Sequence, residues 1–400
     1  MNKLHALPAM LIAALVALSS CNKDEEETDP TPTPTPSGTV VVNQNISQNT
    51  TWTSNNVYQL GGRITVLSGA TLTIEPGTII KGEAGTGANA TALLIARGGK
   101  LVADGTAEAP IIFTSVADEI KPADIDAGNF GSPNLDPTVN GLWGGVIILG
   151  RAPISASSNN GDVSEVQIEG IPTSDSNGLY GGNEAADNSG TIRYVSIRHG
   201  GANIGAGNEI NGLTLGGVGS GTIIEHVEVV ANQDDGIEWF GGTVNVSNVV
   251  VWNAGDDAID TDQSWDGTLN NFVVVAPTGH SFELDGPEGS YQAGQTIQNG
   301  TVVASAGGRV CEDLINVDNN SIVDLSNIHF TAIVEGQRLN NVTAAGVTFT
   351  NITFDVEPAN LGTYVNGAVP VGITAGGSSQ ANTSVLGWTW AAQSGGLDGL

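Results

Sequence analysis

The chain has 400 residues, 55 of them Gly, with hydrophobic residues at 40%, aromatics at 5% and charged residues at 14%. Lys and Arg number 12 against 42 Asp and Glu, a formal net charge of -30. That acidity argues against nucleic acid and anionic lipid surfaces as partners, and against polyanions unless a cation bridges them; the apolar content argues against disorder for the bulk.

Lys3 precedes an apolar run from Leu7 to Leu18, too short to span a bilayer as a mature helix. With Ser19-Ser20 ahead of Cys21, residues 1–20 read as a secretory signal. Leu18-Ser19-Ser20-Cys21 resembles a bacterial lipoprotein lipobox, which implies cleavage before Cys21 and lipidation of its sulfur. An ordinary signal peptide that contains a Cys is the alternative. Residues 21–38 read as a tether: a charge run, Asp24 to Glu27, then alternating Thr and Pro to Pro36, which favours extended polyproline II. An acidic run directly after such a Cys resembles the surface-export signal of Bacteroidetes lipoproteins, so the expected location is the outer membrane, lipid-anchored and facing the exterior. A solvated spacer facing the periplasm is the other reading. Lipidation of Cys21 leaves Cys311 as a lone, buried, inert thiol.

Residues 39–400 form the expected folded domain. Val40 to Val42, Ile64 to Leu67, Leu72 to Ile74, Ile79 to Lys81, Leu93 to Ala96, Leu101 to Ala103, Ile111 to Thr114 and Val146 to Leu149 are short apolar runs. Turn signals such as Gly61-Gly62, Ser68-Gly69 and Glu75-Pro76-Gly77 separate them, so they read as strands. Helical periodicity is not convincing anywhere. Ala117 to Val139 and Ser155 to Ser189 are polar and read as loops leaving a solenoid, expected on one face.

From Ile192 a template repeats. Apolar triplets at spacing 0, 3, 5 begin at Ile192, Ile224, Val246, Leu269, Ile297, Leu325 and Phe349, in steps of 32, 22, 23, 28, 28 and 24 residues. Gly300 breaks the pattern at one middle position. Five copies place Asn just before that position: Asn248, Asn271, Asn299, Asn327 and Asn351. Asn tolerates the left-handed conformation of a sharp inter-strand turn, and stacked amides can bond as an internal ladder. A repeat of this length marks a solenoid. The pattern resembles the asparagine ladder of right-handed parallel β-helices, and the fold class expected is all-β, a right-handed parallel β-helix with long loop excursions.

The resemblance extends to Gly69 to Thr78, Leu142-Trp143-Gly144-Gly145, Asn208 to Thr222 and Glu238 to Val244. These stretches look like a family of Bacteroidetes secreted or lipid-anchored β-helix proteins of uncharacterised function. That resemblance implies architecture and leaves activity open.

Three copies of the template carry acidic residues in register. Ile224, Val246 and Leu269 are followed, ten and eleven residues on, by Asp234-Asp235, Asp256-Asp257 and Gly279-His280, and fourteen on by Glu238, Asp260 and Glu283. One coil apart, equal positions stack at roughly 4.7–4.9 Å. Asp235, Asp257 and His280 then form one column, and Glu238, Asp260 and Glu283 another. Stacked carboxylates must raise their pKa or take up a hard cation. The oxygen donors Asp234, Asp235, Asp256, Asp257, Asp260 and Asp262 suit Ca2+.

A catalytic reading competes. Asn232-Gln233-Asp234, Gly255-Asp256-Asp257, Gly279-His280 and Arg309 resemble the motifs of polygalacturonase-like glycoside hydrolases. The resemblance implies Asp257 as the acid, Asp235 and Asp256 positioning a water, and His280 tuning the acid, with Arg309 counted in the same catalytic set. Inversion needs two carboxyl groups about 6.5–9.5 Å apart. One extra residue lies between Asn232 and Gly236, and Val310-Cys311 replaces the basic residue that group carries after the Arg. A plain solvated row of Asp turns is the third reading.

Trp239, Phe240, Trp252, Trp265 and Tyr291 cluster beside these rows. Exposed rings make a sugar-stacking face, and inward rings fill core. Trp143, and Trp388 with Trp390, read as packing or end caps. The function expected is therefore a surface lipoprotein binding a polysaccharide or cell-surface ligand with Ca2+. The alternatives are a polysaccharide hydrolase or lyase working through the Asp face, and an adhesive protein without a discrete site.

Overall fold

The computed structural model describes residues 38–204, 210–341 and 343–400. The signal segment 1–20, Cys21, the tether up to residue 37, and Asn208 with Glu209 of the long family-like stretch lie outside the described residues. Gly38, the last tether residue expected, already belongs to the first strand, Gly38–Val42.

The strands are parallel and stack coil on coil. A 15-stranded sheet and an 8-stranded sheet face one another, and three two-stranded antiparallel hairpins lie outside them among the described residues. This is an all-β parallel β-helix. One coil shows the plan: the long strand Ile223–Val230, a turn, the short strand Ile237–Phe240, a second turn, and the next long strand Val246–Trp252. Ile224, Val227, Val229, Ile237 and Trp239 point inward into one continuous core. Fully burying an aliphatic side chain of this kind contributes roughly 1.5–3 kcal/mol.

Each long strand bends at the residue before its middle apolar position. There the backbone is left-handed: φ is 58° at Asn248, 60° at Asn271 and Asn299, and 53° at Asn327 and Asn351. The amides bond coil to coil, Asn271 to Asn248 at 2.8 Å and both Asn327 to Asn299 and Asn351 to Asn327 at 3.0 Å. The expected ladder is interrupted once. Asn299 donates to Asn270, while the Oδ1 of Asn271 accepts from the backbone N–H of Asn382 in the C-terminal segment. Gly300, the flaw in the pattern, faces Phe272 of the preceding coil: a Cβ there would lie 2.0 Å from that ring. Large and small residues alternate to fill one slot.

Earlier coils are built differently. Lys100–Asp104 and Ile111–Ser115 are separate strands, and both pair with the single bent strand Gly190–Arg198. The bend of the later coils replaces the longer connection of the earlier ones.

The two excursions do not share a face, contrary to expectation. The first carries the short helix Pro122–Asp126 and packs Ile120, Ile125 and Phe130 on Ile79 and Ile112 of the long sheet. The second lays Ile154, Ile168, Ile171 and Tyr180 on Leu94, Ile147 and Leu149, outside the short sheet. Each covers apolar outer positions of parallel strands, which otherwise meet water.

Of the two roles expected for Trp143, Trp388 and Trp390, packing is the one observed. Trp143 lies in the interior, its Nε1–H donating to the Arg198 carbonyl at 2.7 Å. Trp388 and Trp390 belong to a C-terminal strap that runs back along the long sheet. Trp390 lies 4.9 Å beneath the buried Arg198 guanidinium, which pairs with Glu228, itself bonded to the Ala391 N–H at 2.8 Å.

Candidate functional site

The register expected from the repeats is the one observed. Glu238 pairs with Asp260, and Asp260 with Glu283, along the short sheet. Their neighbours Ile237, Ile259 and Phe282 face inward, so the alternation of a strand turns all three carboxyl groups outward. The first column stands at the turn just before this sheet. The Asp235 Oδ1 accepts the N–H of Asp257 at 2.9 Å, and the Asp257 Oδ1 accepts the N–H of His280. Each Asp thus satisfies a backbone donor that the sheets leave unpaired. Asn211 occupies the same position one coil earlier, since Leu213 pairs with Ile237. Its amide donates to Glu238.

Three groups of ligating atoms lie within 4.8 Å of one another: Asp257 with His280 and Glu283, Asp234 with Asp235 and Asp256, and Asp235 with Glu238 and Asp260. Asp235, Glu238 and Asp257 are buried, whereas Asp256 is exposed. Hard oxygen donors at this spacing fit Ca2+.

Burial first, and the crowding of carboxyl groups second, push Asp235, Glu238 and Asp260 well above the usual carboxylate range. Glu283 is pushed up to about 8 by burial and by the charge and hydrogen bond of Asp257. Asp257 runs the other way. Burial pushes it up, but hydrogen bonds from His280 and Glu283 and the charge of His280 outweigh that and hold it low. Its Oδ1 lies 3.0 Å from the His280 Nδ1, and this contact raises His280 to about 9 against the effect of burial. Near neutral pH this favours an imidazolium at His280 beside the Asp257 carboxylate, with the Glu283 carboxyl protonated.

Several expectations change. Asp257, expected as the acid, is held ionised and suits a base; Glu283 suits the acid. No water-wide gap separates these two, since their oxygens lie within 4.8 Å of each other. Asp262 stands apart from the three groups, one row further along the strand. It is pushed up to about 7 by burial and by Asp285, Glu288, Glu169 and Asp318. Arg309, expected in the catalytic set, spends its guanidinium on the backbone and one hydroxyl. It donates to the carbonyls of Ala276 and Ala254 and to the Thr278 hydroxyl.

The sugar-stacking face loses most of its rings. Trp239 and Trp265 are fully buried and stack on each other at 4.7 Å inside the core. Trp252 packs edge-on against Trp390 at 5.8 Å, on the flank under the strap. Tyr291 is the exception, 37% exposed. Glu238 and Glu283 were legible at the fourteenth repeat position as a column, and the ligating groups add them to the Asp set. Asn211 was missed because the step from the previous coil is 32 residues. Cys311 is buried as expected, its thiol pushed up to about 11 by burial.

Stacked parallel coils with outward carboxyl groups on one face of the shorter sheet define a β-helix protein with a polar surface site. Comparison with known families agrees: the model of the pectate-lyase like beta helix domain matches residues 44–388, and the chain belongs to that family. No curated protein and no solved structure matches the chain.

Proposed function

We propose that the protein binds carbohydrate on the outer face of the short sheet, between Glu238 and Asp285, as a lipoprotein anchored through Cys21 at the outer membrane and exposed to the exterior. The observation that carries this reading is the pair of adjacent carboxyl rows, Glu238–Asp260–Glu283 and Asp262–Asp285, on a pectate-lyase-like domain. Burial and mutual repulsion raise them, Glu283 to about 8 and Asp262 to about 7, so that protonated and ionised carboxyl groups coexist near neutral pH. Such a surface offers both O–H donors and carboxylate acceptors to sugar hydroxyls. Tyr291 supplies one exposed ring at its border. Asp234, Asp235 and Asp256, whose oxygens lie within 4.8 Å of one another, would hold Ca2+ at the turn beside it. The test is calorimetry against a panel of soluble polysaccharides, on the native chain and on an Asp260→Asn, Glu283→Gln double variant. A ligand whose affinity is unchanged in the variant sinks the assignment. For the cation, the thermal midpoint rises with added Ca2+, and less so in Asp256→Asn; no rise in either removes Ca2+ from the site.

A second reading rests on a specific contrast. Asp257 held low and Glu283 held high are a carboxylate base and a carboxylic acid, the two protonation states that elimination on a polysaccharide uses without a water between them. Reducing-sugar release over the same panel, lost in Glu283→Gln, supports it. Release that survives that substitution rules it out.

A further inference from the structure

The left-handed bend position offers a second site, away from the acidic face. In five coils it is Asn. In the two coils before them it is Tyr194, with φ 51°, and His226, with φ 56°. An aromatic residue there is strained: the left-handed region costs a side chain that cannot bond locally roughly 1–2 kcal/mol. Asn would be accommodated, as the five later coils show. The strain is not compensated by a ladder bond. Instead the two rings stack on each other, 4.2 Å apart and 15° from parallel.

Three distant segments meet around this pair. Trp388 of the C-terminal strap sets its edge against Tyr194 at 5.6 Å. Phe130 comes from the first excursion and Ala107 from the turn ahead of Ile111–Ser115. Together they line an open cleft of about 420 Å3. That volume falls within the range of small-ligand pockets. Tyr194 and His226 are half-buried, so their rings keep exposed surface, while Trp388 and Phe130 are buried. The His226 Nδ1 and the Trp388 Nε1 are buried without a hydrogen-bond partner. A buried polar group left so costs about 1–3 kcal/mol. Burial, first, holds His226 below its ordinary pKa, which favours the uncharged imidazole.

We infer that this aromatic cleft is a binding site for a neutral pyranose unit, stacked on the Tyr194–His226 pair and walled by Trp388. The C–H face of such a ring matches an aromatic wall, and a cleft of this size admits one or two such units. A net charge of -30 disfavours an anionic sugar in the same place. The site does not depend on the carboxyl rows of the short sheet, which lie on another face of the coil.

The fold itself supplies the test. A Tyr194→Asn, His226→Asn variant installs the residue that five other coils carry, so it keeps the coil and holds or raises the thermal midpoint. Saturation-transfer NMR and calorimetry are run with neutral hexasaccharides of glucose, galactose and xylose, and with a uronate hexasaccharide. The expected result is binding of at least one neutral chain by the native protein, weakened at least tenfold in this variant. In the Asp260→Asn, Glu283→Gln variant of the acidic face, that binding is retained. Binding equal in the native and ladder variants overturns the site, as does the absence of binding by every neutral chain. Preference for the uronate overturns the ligand class.

Discussion

The outer face of the short sheet changes character halfway along. Leu94, Ile147, Thr214, Glu238, Asp260 and Glu283 occupy one row, each paired with the next. At its N-terminal end the row is apolar and lies under the excursion that brings Ile154, Ile168 and Tyr180. At its C-terminal end it is acidic. The inward row does not change: Leu93, Val146, Leu213, Ile237, Ile259 and Phe282 are all buried and apolar. A β-helix thus fixes its inward positions by packing and leaves each outward position to whatever covers it. Where the excursion lays apolar side chains on the sheet the sequence writes Leu and Ile; where it does not, the row carries carboxyl groups.

The strongest way to break this comparison is to exchange the two halves. Ile147→Glu places under the excursion the kind of group that Glu238 carries two strands on. It has no partner there, and a buried charge of that kind costs about 4–5 kcal/mol. The expected outcome is a large fall in the urea midpoint and protease cleavage within 155–189. A loss under about 1 kcal/mol would mean that the excursion does not seal the sheet. Slightly smaller is the effect of an inward change. Trp239→Ala removes one ring of a buried stack and costs about 3–5 kcal/mol by the cavity it leaves. Tyr291→Ala, expected from sequence to be equivalent, leaves the midpoint within about 0.5 kcal/mol.

That pair of tryptophan and tyrosine also shows what the sequence carries and what it withholds. Spacing alone gave the coil: equal positions 22 and 23 residues apart do stack, so Asp235 over Asp257 and Asn248 over Asn271 were readable. Which side of the wall a ring faces was not. Trp239 lies between two outward residues, Glu238 and Phe240, and strict alternation places it inside; its nearness in sequence to the acidic turns drew it wrongly to the surface. Arg309 matched a motif by interval, but its hairpin, Ser305 to Val310, turns it toward the carbonyls of the neighbouring coils. The strap was invisible for a different reason. Trp388 and Trp390 contact coils almost two hundred residues earlier, and no local pattern encodes such a partner.

The next test sharpens the acidic half. Glu283 is raised to about 8, Asp262 to about 7 and Asp285 to about 6, by burial first in each case. Each binds its proton more tightly folded than unfolded. Its contribution to stability is complete below its unfolded value near pH 4 and is lost as pH rises through 6, 7 and 8. His280, raised to about 9, acts in the same sense from above its ordinary value of 6.5. Asp257, held low, contributes oppositely, and its part is lost only as pH falls below the carboxylate range. The thermal midpoint therefore declines steadily from pH 5 to pH 9. A flat profile over that range would mean that the carboxyl rows are fully solvated in solution.

The smallest expected effect isolates one charge. Asp262 faces Asp285, Glu288, Glu169 and Asp318. At pH 8 it is ionised and repelled by them, so Asp262→Asn stabilises by roughly 0.5 kcal/mol, the scale of a single partly exposed charge pair. At pH 4 its folded form is protonated and its unfolded form largely so, and Asn mimics the protonated acid. The gain then vanishes. Denaturation at the two pH values reads this directly. Equal gains at both would assign the effect to a new amide hydrogen bond and not to relief of repulsion, and the acidic half would owe its character to hydrogen bonding in place of crowded charge.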